Sequence, residues 1–491
     1  MKKCIMNTAF FISLIPYCCF LFFILTLNNG CRKAPLIEDM PRDVTLNTEI
    51  PTTDATPLDQ LIVWVKPGVS RQKFFQWRDS IVNLPDGKGG AVNISRACSD
   101  CDSSLMLLTG TGIKTYIKGH TVSGGVGTSG TDSDVSGDTS AVYHSLNYKV
   151  NWHPSTTGSL PNNSNNPTIS LYTAQSVKVG VLDTGVDTFE VNNYPFKSDS
   201  PSCIKAIGAD VGWNFVNFTR NTADDEAYQH GSTVTRFITD YFDKNMPTKV
   251  QILPVKTHDA NGEGDLFRVL CAFAYAKQRG VKIINASFGF YLPRLDTSVA
   301  KIKYTVDPNI ILLKKYTHYY LTRNSILLIA AAGNKDTENK KLAFIENDTP
   351  YVPTNPQILN QVPFYPGVLA NDPAFPNVIT VTTVYVDANG LGTMSDQNYS
   401  NDVVDIGVIA DTVINNNYYE RNPKKLREGI LGSSFATPIV TGRIAGNYNL
   451  ISGMLSKQNY TRTDLLNALS PIFLFNTNLK SKIRDGRVMK K

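Results

Sequence analysis

Three polar residues lie far apart in the chain, yet together they have the side-chain types that a nucleophilic hydrolase needs. Asp183 follows an apolar run, His230 opens the segment HGSTVTRFI, and Ser434 lies in GSSFATPIV. A carboxylate can orient a histidine and stabilise its protonated ring, and that ring can take a proton from a serine hydroxyl. The three residues therefore predict acyl transfer through a serine nucleophile.

Each of these residues stands at the end of a strand or at the start of a helix. The runs predicted as strands cover residues 177–182, 249–255, 281–285, 325–331 and 377–382. Residues 266–279 have helical periodicity, and Gly280 is a suitable helix stop. Apolar strands that alternate with helices predict an α/β fold, a mostly parallel sheet covered by helices on both faces. The active site of such a sheet lies at the carboxyl ends of its strands.

At these residues the sequence resembles the subtilisin-like serine peptidases, the subtilase family. The family signatures are an Asp-Thr/Ser-Gly turn, a His-Gly-Thr-His-Val segment and Gly-Thr-Ser-Met-Ala-x-Pro, in this order. Their counterparts here begin at Asp183, His230 and Gly432. Further matches are GWNFV at 212–216, NASFG at 285–289, AAGN at 331–334, and NYSN with VDI within 398–406. The resemblance spans about residues 174–452 and implies a subtilisin-like fold with Asp183, His230 and Ser434 as the triad.

The resemblance also implies which residues contact the substrate. Asn334 would be the side-chain donor of the oxyanion hole. Segment 285–289 resembles an edge strand that pairs with an extended substrate, and segment 331–333 resembles the border of an open, apolar specificity pocket. The candidate substrate-binding residues are Ser287, Phe288, Gly289, Ala331, Ala332 and Gly333.

Some positions depart from the family pattern. Thr233 replaces the family's second histidine, which is not usually catalytic, and Thr235-Arg236 replace a small Ala-Gly pair. The stretch 291–324 is rich in Lys and Tyr and is predicted as an insertion near the substrate cleft. Histidines other than His230 have no comparable setting, so they are predicted to lie on the surface or in linkers.

The function predicted from these residues is a serine endopeptidase that acts on protein or peptide substrates, as a monomer and without a metal or organic cofactor. The alternative is a catalytically inactive subtilase-fold binding protein at the cell surface, against which the complete Asp, His, Ser and Asn set argues. A lipase or esterase lacks support because Ser434 has no Gly-x-Ser-x-Gly elbow. Structural Ca²⁺ is common in the family, but the sequence has no EF-hand-like loop, and no ligands are assigned.

The composition excludes two other classes of protein. Hydrophobic residues make up 42% of the 491 residues and charged residues 18%, which is not the composition of a disordered chain. The net charge of +6 is modest, and part of it lies at the C-terminus. No long basic face with interleaved aromatic residues is visible, so a nucleic-acid partner is not expected.

The N-terminus predicts export from the cytoplasm. Lys2 and Lys3 precede an apolar run over residues 9–27, as in a signal peptide spanning 1–30. The following LNNGC resembles a bacterial lipobox, with the leucine one position farther from the cysteine than usual, so Cys31 is the predicted lipidation site. An uncleaved membrane anchor and a soluble secreted form remain as alternatives. All three place the body of the protein in the cell envelope or outside the cell.

The chain divides into further segments by composition. We predict a tether over 31–57, a small α+β unit over 58–120, a flexible linker over 121–173, a catalytic domain over 174–455, and a C-terminal helix with a fraying basic tail over 456–491. By its position and its strand–helix–strand pattern, the α+β unit is similar to the propeptides of subtilases. A propeptide assists folding and blocks the cleft until it is cut off, here within about 121–173.

Four cysteines follow the predicted lipidation site, and they are Cys98, Cys101, Cys203 and Cys271. Cys98 and Cys101 form one CxxC motif, for which a local disulfide is the favoured interpretation, because no second ligand pair for zinc is visible. Cys271 lies in the apolar stretch VLCAFAYA and is predicted to be a buried thiol in a helix.

Overall fold

The computed structural model of the chain describes most of the segment from residue 60 to residue 489. The described ranges are 60–82, 90–99, 102–113, 142–147, 149–151, 176–187, 194–196, 201–240, 249–291, 308–334, 363–386, 392–393, 397–409, 413–414, 417–418, 432–457 and 459–489. The predicted signal segment, Cys31 and the tether lie outside them. Within the described ranges, no helix combines the length and the apolar character needed to cross a bilayer.

The largest sheet contains ten of the described strands. They are β6 (Val177–Asp183), β7 (Trp213–Asn214), β8 (Val250–Lys256), β10 (Ile283–Ala286), β12 (Leu327–Ala331), β14 (Val378–Val386), β15 (Gly392–Thr393), β16 (Ile406–Ile409), β19 (Phe473–Phe475) and β20 (Arg487–Met489). Their order is β19-β20-β16-β14-β12-β10-β6-β8-β7, with β15 paired to β14. The pairings are parallel except for β19 with β20 and β14 with β15.

Helices cover both faces of this sheet. The described α-helices are α1 (Arg71–Val82), α2 (Ser202–Ala206), α3 (His230–Asp240), α4 (Leu266–Gln278), α5 (Pro308–Tyr320), α6 (Ser433–Gly446), α7 (Asn449–Lys457) and α8 (Arg462–Ala468). Residues of α3, α6, α7 and α8 share one buried cluster, whereas α4 and α5 contribute to another. Strand β6 contributes to both clusters. Val179 and Val181 belong to the cluster that contains α3 and α6, and Leu182 belongs to the cluster that contains α4 and α5. The predicted α/β fold with a mostly parallel sheet is confirmed.

A second, antiparallel sheet contains the N-terminal strands. They are β1 (Gln60–Val65), β2 (Asn93–Ser99), β3 (Asp102–Thr109) and β4 (Val142–Leu146), in the order β2-β3-β1-β4. Together with α1 they form the predicted small α+β unit. Three further pairs of short strands are β5 (Lys149–Asn151) with β9 (Glu263–Asp265), β11 (Phe290–Tyr291) with β13 (Phe364–Tyr365), and β17 (Val413–Ile414) with β18 (Asn417–Tyr418).

The N-terminal sheet packs on helices α4 and α5 of the large domain. The Trp64 ring lies 5.1 Å from the Tyr316 ring and 5.4 Å from the Tyr319 ring, both of α5. The side-chain oxygen of Asn147 accepts a hydrogen bond from the backbone N–H of Phe267, in the first turn of α4, at 3.0 Å. Helix α5, which lies within the predicted insertion 291–324, therefore supports this interface. Tyr291 belongs to β11, and residues 292–307 lie outside the described ranges.

The predicted cysteine chemistry is wrong. Cys98 of β2 forms a disulfide with Cys271 of α4, across 173 residues of sequence, so neither a local Cys98–Cys101 bridge nor a free Cys271 thiol is present. Cys203 is also disulfide-bonded. The two-residue spacing of the CxxC motif does not indicate which side of β2 faces α4, and that orientation decides the pairing.

Two predicted segments are more ordered than composition suggests. The linker prediction over 121–173 does not hold for β4, which is the fourth strand of the N-terminal sheet, or for β5, which pairs with β9. The prediction of a fraying basic tail does not hold for Arg487–Met489, which is a buried strand beside β16; residues 490–491 lie outside the described ranges. Each of these strands has three to five residues. That length is too short for hydrophobic periodicity to reveal them.

Candidate active site

Asp183 and His230 meet at the carboxyl end of β6. Asp183 is the last residue of that strand and His230 is the first residue of α3. The Nδ1 atom of His230 lies 2.7 Å from the Oδ1 atom of Asp183, and the two residues are only 1% and 2% exposed. At this distance, in a site closed to water, the carboxylate can hold the ring in one orientation and stabilise its protonated form.

The turns that carry these two residues are locked together by Thr184 and Gly231. The hydroxyl of Thr184 accepts a hydrogen bond from the backbone N–H of Gly231 at 2.9 Å. A Cβ at Gly231 would lie 2.0 Å from the carbonyl oxygen of Gly185, so only glycine allows the turn to approach the helix this closely. The backbone of Thr184 also donates to Asp183 Oδ1 at 2.8 Å.

Two more carboxylates cap the start of α3. Glu226 Oε2 accepts hydrogen bonds from the backbone N–H of Tyr228 at 2.9 Å and of His230 at 3.2 Å. Asp224 Oδ2 accepts from the backbone N–H of Ser232 at 2.8 Å. Carboxylates satisfy the unpaired donors of a first helical turn and interact favourably with its dipole. Sequence analysis missed both residues, although an acidic run directly before a helix start was a usable signal.

These charges alter the proton affinity of the site. Burial lowers the pKa of His230. The Asp183 carboxylate raises this pKa, Asp224 and Glu226 raise it further, and the net shift is upward. Burial raises the pKa of Asp224 to about 6, although the hydrogen bonds from Ser232 and Thr184 act to lower it. The ring of His230 therefore holds its proton to a higher pH than a free histidine.

A buried lysine, also missed in the sequence, supports the turn after β6. Lys256, the last residue of β8, is 1% exposed. Its Nζ atom donates to the carbonyl oxygen of Thr184 and to Asp225 Oδ1, the latter at 2.7 Å. The ammonium group thus ties the turn that follows Asp183 to the acidic loop that precedes His230.

Ser434 lies in the first turn of α6, whose N-cap Gly432 has a φ of 83°. Helices α3 and α6 pack side by side, and the ring of Phe435, the residue after Ser434, lies 5.3 Å from the ring of His230. Ser434 is 7% exposed, so it is nearly enclosed. The helix start presents backbone N–H groups without intrahelical partners, which suits an anionic oxygen at this place.

Asn334 follows β12 and is held against the start of α6. Its Oδ1 atom accepts hydrogen bonds from the backbone N–H of Ser433 at 2.8 Å and from the Ser433 hydroxyl at 2.9 Å. That hydroxyl in turn accepts from the backbone N–H of Gly333 at 3.1 Å. A Cβ at Gly432 would lie 2.7 Å from Asn334 Oδ1, so the glycine is needed for this contact. Because the amide oxygen of Asn334 accepts both hydrogen bonds, the Nδ2 atom is the end of the amide that can donate to another group.

The candidate substrate-binding segments lie side by side. Strands β10 and β12 are parallel neighbours, with Ala286 opposite Ala330, so residues 287–289 and 331–333 follow the two strands at the same edge. The Ser287 hydroxyl accepts from Asn285 Nδ2 at 2.9 Å. Phe288 is 3% exposed, and its ring lies 4.7 Å from the ring of His258 at an interplanar angle of 51°.

The prediction that His258 lies on the surface is wrong. His258 is 1% exposed, and its backbone N–H donates to the carbonyl oxygen of Asp183 at 3.2 Å. Burial lowers its pKa to about 3, so the ring is neutral at physiological pH. His258 thus forms a wall of the site. His144 and His318 are half-buried, and His120 and His153 lie outside the described ranges.

Among the described residues, no group of three or more His, Cys, Asp or Glu side chains is arranged to hold a metal ion.

Comparisons with known proteins give one family match and several partial likenesses. A model described as the subtilase family matches residues 174–471, more than half of the chain. A cell wall-associated protease of Bacillus subtilis (strain 168) is 32% identical over 116 residues, which are 23% of this chain and only 12% of that protein. Among solved structures, an epidermin leader peptide processing serine protease from Staphylococcus aureus has a TM-score of 0.47 and 15% identity, covering 88% of this chain and 96% of its own. A lanthipeptide protease has a TM-score of 0.42 and 16% identity, covering 64% and 85%.

Proposed function

Because the chain belongs to the subtilase family of serine proteases, we propose that it is an exported endopeptidase in which Ser434 is the nucleophile, His230 the general base and Asp183 its partner. The single observation that carries this proposal is the buried contact of 2.7 Å between His230 and Asp183, with Ser434 on the neighbouring helix start. This arrangement provides a base, a carboxylate that stabilises its charged form, and a hydroxyl at the strand ends of a parallel sheet.

The proposed reaction begins when the Ser434 hydroxyl attacks the carbonyl carbon of a peptide bond. The Nε2 atom of His230 takes the hydroxyl proton and returns it to the leaving amine, which leaves an acyl-enzyme on Ser434. Water then repeats the sequence with the same base, which releases the acid product and the free serine. Asp183 keeps its charge throughout and stabilises the imidazolium ring.

Asn334 is proposed to bind the oxyanion that develops during each attack. Its amide oxygen is fixed by two hydrogen bonds from Ser433, which supports an amide nitrogen oriented before substrate binds. A donor held in place in this way is worth a factor of about 10² to 10³ in kcat.

The test of the proposed nucleophile is hydrolysis of an unstructured protein and of peptides by Ser434→Ala. We expect kcat to fall by about 10⁶-fold, because the acyl-enzyme cannot form. Ser452→Ala is the matched control, since Ser452 is an exposed serine of α7, and its activity should equal that of the wild type. A folded Ser434→Ala protein that keeps wild-type activity would refute the assignment.

We further propose that the protein is exported and lipidated on Cys31. The apolar run after Lys2 and Lys3 and the following LNNGC support this, and the cell wall-associated relative agrees with a location outside the cytoplasm. Metabolic labelling with a fatty acid should mark the wild type and not Cys31→Ser. Membrane retention without label would instead support an uncleaved anchor, and release into the medium a secreted form.

The N-terminal α+β unit is proposed to assist folding, and self-cleavage within about 121–173 is proposed to break the peptide chain between this unit and the catalytic domain. The support is its position before the catalytic domain and its packing on α4 and α5. Wild-type and Ser434→Ala chains should then differ in mass after reduction. If both migrate at full length, self-processing is wrong.

A further inference from the structure

One aromatic side chain lies between the two segments assigned to the substrate. Phe364 belongs to β13, and both glycines of the candidate segments face its ring. A Cβ placed on Gly289 would lie 2.2 Å from Cε1 and 2.4 Å from Cζ of Phe364. A Cβ placed on Gly333 would lie 3.1 Å from Cδ1 and from Cδ2 of the same ring. The ring is therefore wedged between the two glycines, and the space that an open pocket would need is filled.

The ring is held in place from several sides. Strand β13 pairs with β11 in antiparallel register, with Phe364 opposite Tyr291. The rings of Tyr365 and Phe290 stack at 5.8 Å on this ladder. Phe364 is 5% exposed and shares a buried cluster with Ala332. The pairing with β11 fixes the backbone that carries Phe364, and the close packing around the ring disfavours other side-chain orientations.

The position of Asn334 relates this ring to the substrate. In the proposed reaction the oxygen of the scissile carbonyl lies at Asn334, directly after Gly333. The residue that supplies this carbonyl, here called the acyl-side residue, carries its side chain on the neighbouring carbon atom. Because segment 331–333 is assigned to the border of the specificity pocket, we place that side chain in the space beside Gly333, where the Phe364 ring packs.

We propose that Phe364 determines the substrate preference by occupying this space, so that the enzyme accepts only small acyl-side residues, namely Gly, Ala or Ser. This inference rests on the proposed function, because it takes Asn334 as the oxyanion donor. Close-packed protein tolerates few additional methylene groups, and each misfit in an apolar pocket changes kcat/KM by a factor of about 10 to 200. The small residues of segment 331–333 therefore line a filled pocket, and not the open one that the sequence predicts.

The test uses a series of peptides that differ only in the acyl-side residue, which is Gly, Ala, Leu or Phe. The processed wild-type enzyme should cleave the Ala peptide with a kcat/KM at least about 100-fold higher than the Phe peptide. Phe364→Ala should reduce this ratio by about 10-fold or more. Phe364→Leu keeps most of the buried volume and should give a smaller change in the same direction, which provides a result if the alanine variant does not fold.

Phe375→Ala is the matched control. Phe375 is equally buried, at 2% exposure, but it packs near His318 and away from both glycines. This variant loses the same atoms as Phe364→Ala and should leave the Ala-to-Phe ratio unchanged.

The outcome separates this inference from the peptidase proposal. A fluorophosphonate probe reacts with an activated serine without needing an acyl-side residue. If Ser434 is labelled but the Ala and Phe peptides are cleaved equally, the role of Phe364 is overturned and the peptidase proposal stands. The same holds if Ser434 is labelled and folded Phe364→Ala keeps the wild-type Ala-to-Phe ratio. A folded enzyme that neither takes the label nor cleaves any peptide would overturn both.

Discussion

Three carboxylates act on the His230 ring, and they determine the pH range in which it can serve as a base. Asp183 contacts the ring directly, while Asp224 and Glu226 bind the backbone of the helix that carries it. All three raise the pKa of His230 against the effect of burial. The neutral ring is the form that accepts a proton, so activity should disappear as the pH falls through this raised pKa.

We expect kcat/KM to show an acid limb above the ordinary histidine value near 6.5, falling about tenfold per pH unit below it. Glu226→Gln removes a charge but keeps an acceptor oxygen for the helix cap, so its limb should move to lower pH. Asp464→Asn, in the exposed cap of α8, should leave the limb in place. If the acid limb of Glu226→Gln stays at the same pH or moves to higher pH, the electrostatic account is contradicted.

Asn334, the proposed oxyanion donor, depends on a neighbour that takes no part in the proposed chemistry. The Ser433 hydroxyl links Asn334 to Gly333, so Ser433→Ala should lower kcat by about tenfold through a less ordered amide. Asn334→Ala should lower it by about 10² to 10³. Because both act through one donor, the double variant should be no worse than Asn334→Ala alone. Strictly additive losses would show that Ser433 acts by another route.

The candidate site residues stand in motifs that the sequence displays, whereas Lys256 is revealed only by packing. Asp183, His230, Ser434 and Asn334 stand in recognisable segments. Lys256 stands at the end of a strand, a context that equally suits a solvent-exposed residue. Its burial is decided by the approach of the acidic loop to β6, and local sequence does not encode that approach.

At the scale of elements, the contact between α3 and α6 determines how close Ser434 is to His230. The two helices approach closely at Gly442, where a Cβ would lie 2.4 Å from the carbonyl oxygen of Ile238. A methyl group there must push the helices apart. The spacing of base and nucleophile therefore depends on a glycine that is distant in sequence from both.

Gly442→Ala should lower the free energy of unfolding by about 1–3 kcal/mol and kcat by about 10- to 100-fold. The matched control is Gly453→Ala in α7, where a Cβ would meet nothing within 4 Å. That change should be neutral or stabilise the protein by up to about 1 kcal/mol, with kcat unchanged. Thermal unfolding and peptide hydrolysis measure both effects. If kcat falls equally in the two variants, the helix contact does not position the site.

Long elements could be predicted from periodicity, whereas short ones could not. The strands predicted at 177–182 and 249–255 and the helix at 266–279 agree with β6, β8 and α4 to within about two residues. Strand β20 has three residues that include the buried Arg487, which pairs with Asp485 at 2.8 Å. Its charge predicts solvent exposure, whereas the ion pair, the Phe475 ring at 5.9 Å and the pairing with β16 favour burial.

At the scale of the whole molecule, the Cys98–Cys271 disulfide joins the N-terminal sheet to the catalytic domain. The bond spans 173 residues, and α4 carries one of its two cysteines. A cut anywhere between the two cysteines leaves the pieces covalently attached. The N-terminal unit therefore cannot leave in the manner of a disposable propeptide while the disulfide persists, as it does in an oxidising compartment.

After cleavage between residues 121 and 141, the intact mass under non-reducing conditions should still include the N-terminal unit. Reduction should separate the chain into two fragments. The comparison of reduced and non-reduced gels on the same sample provides the control. Loss of the N-terminal fragment without reductant would contradict a permanent attachment.

The most direct test of the proposed catalytic site is reaction with a fluorophosphonate, followed by mass spectrometry to locate the label. The account predicts that the processed wild-type protein is labelled on Ser434 and that the folded His230→Ala variant is not, because the hydroxyl then lacks its base. A folded wild-type protein that takes no label, or that is labelled on another serine, would contradict the account.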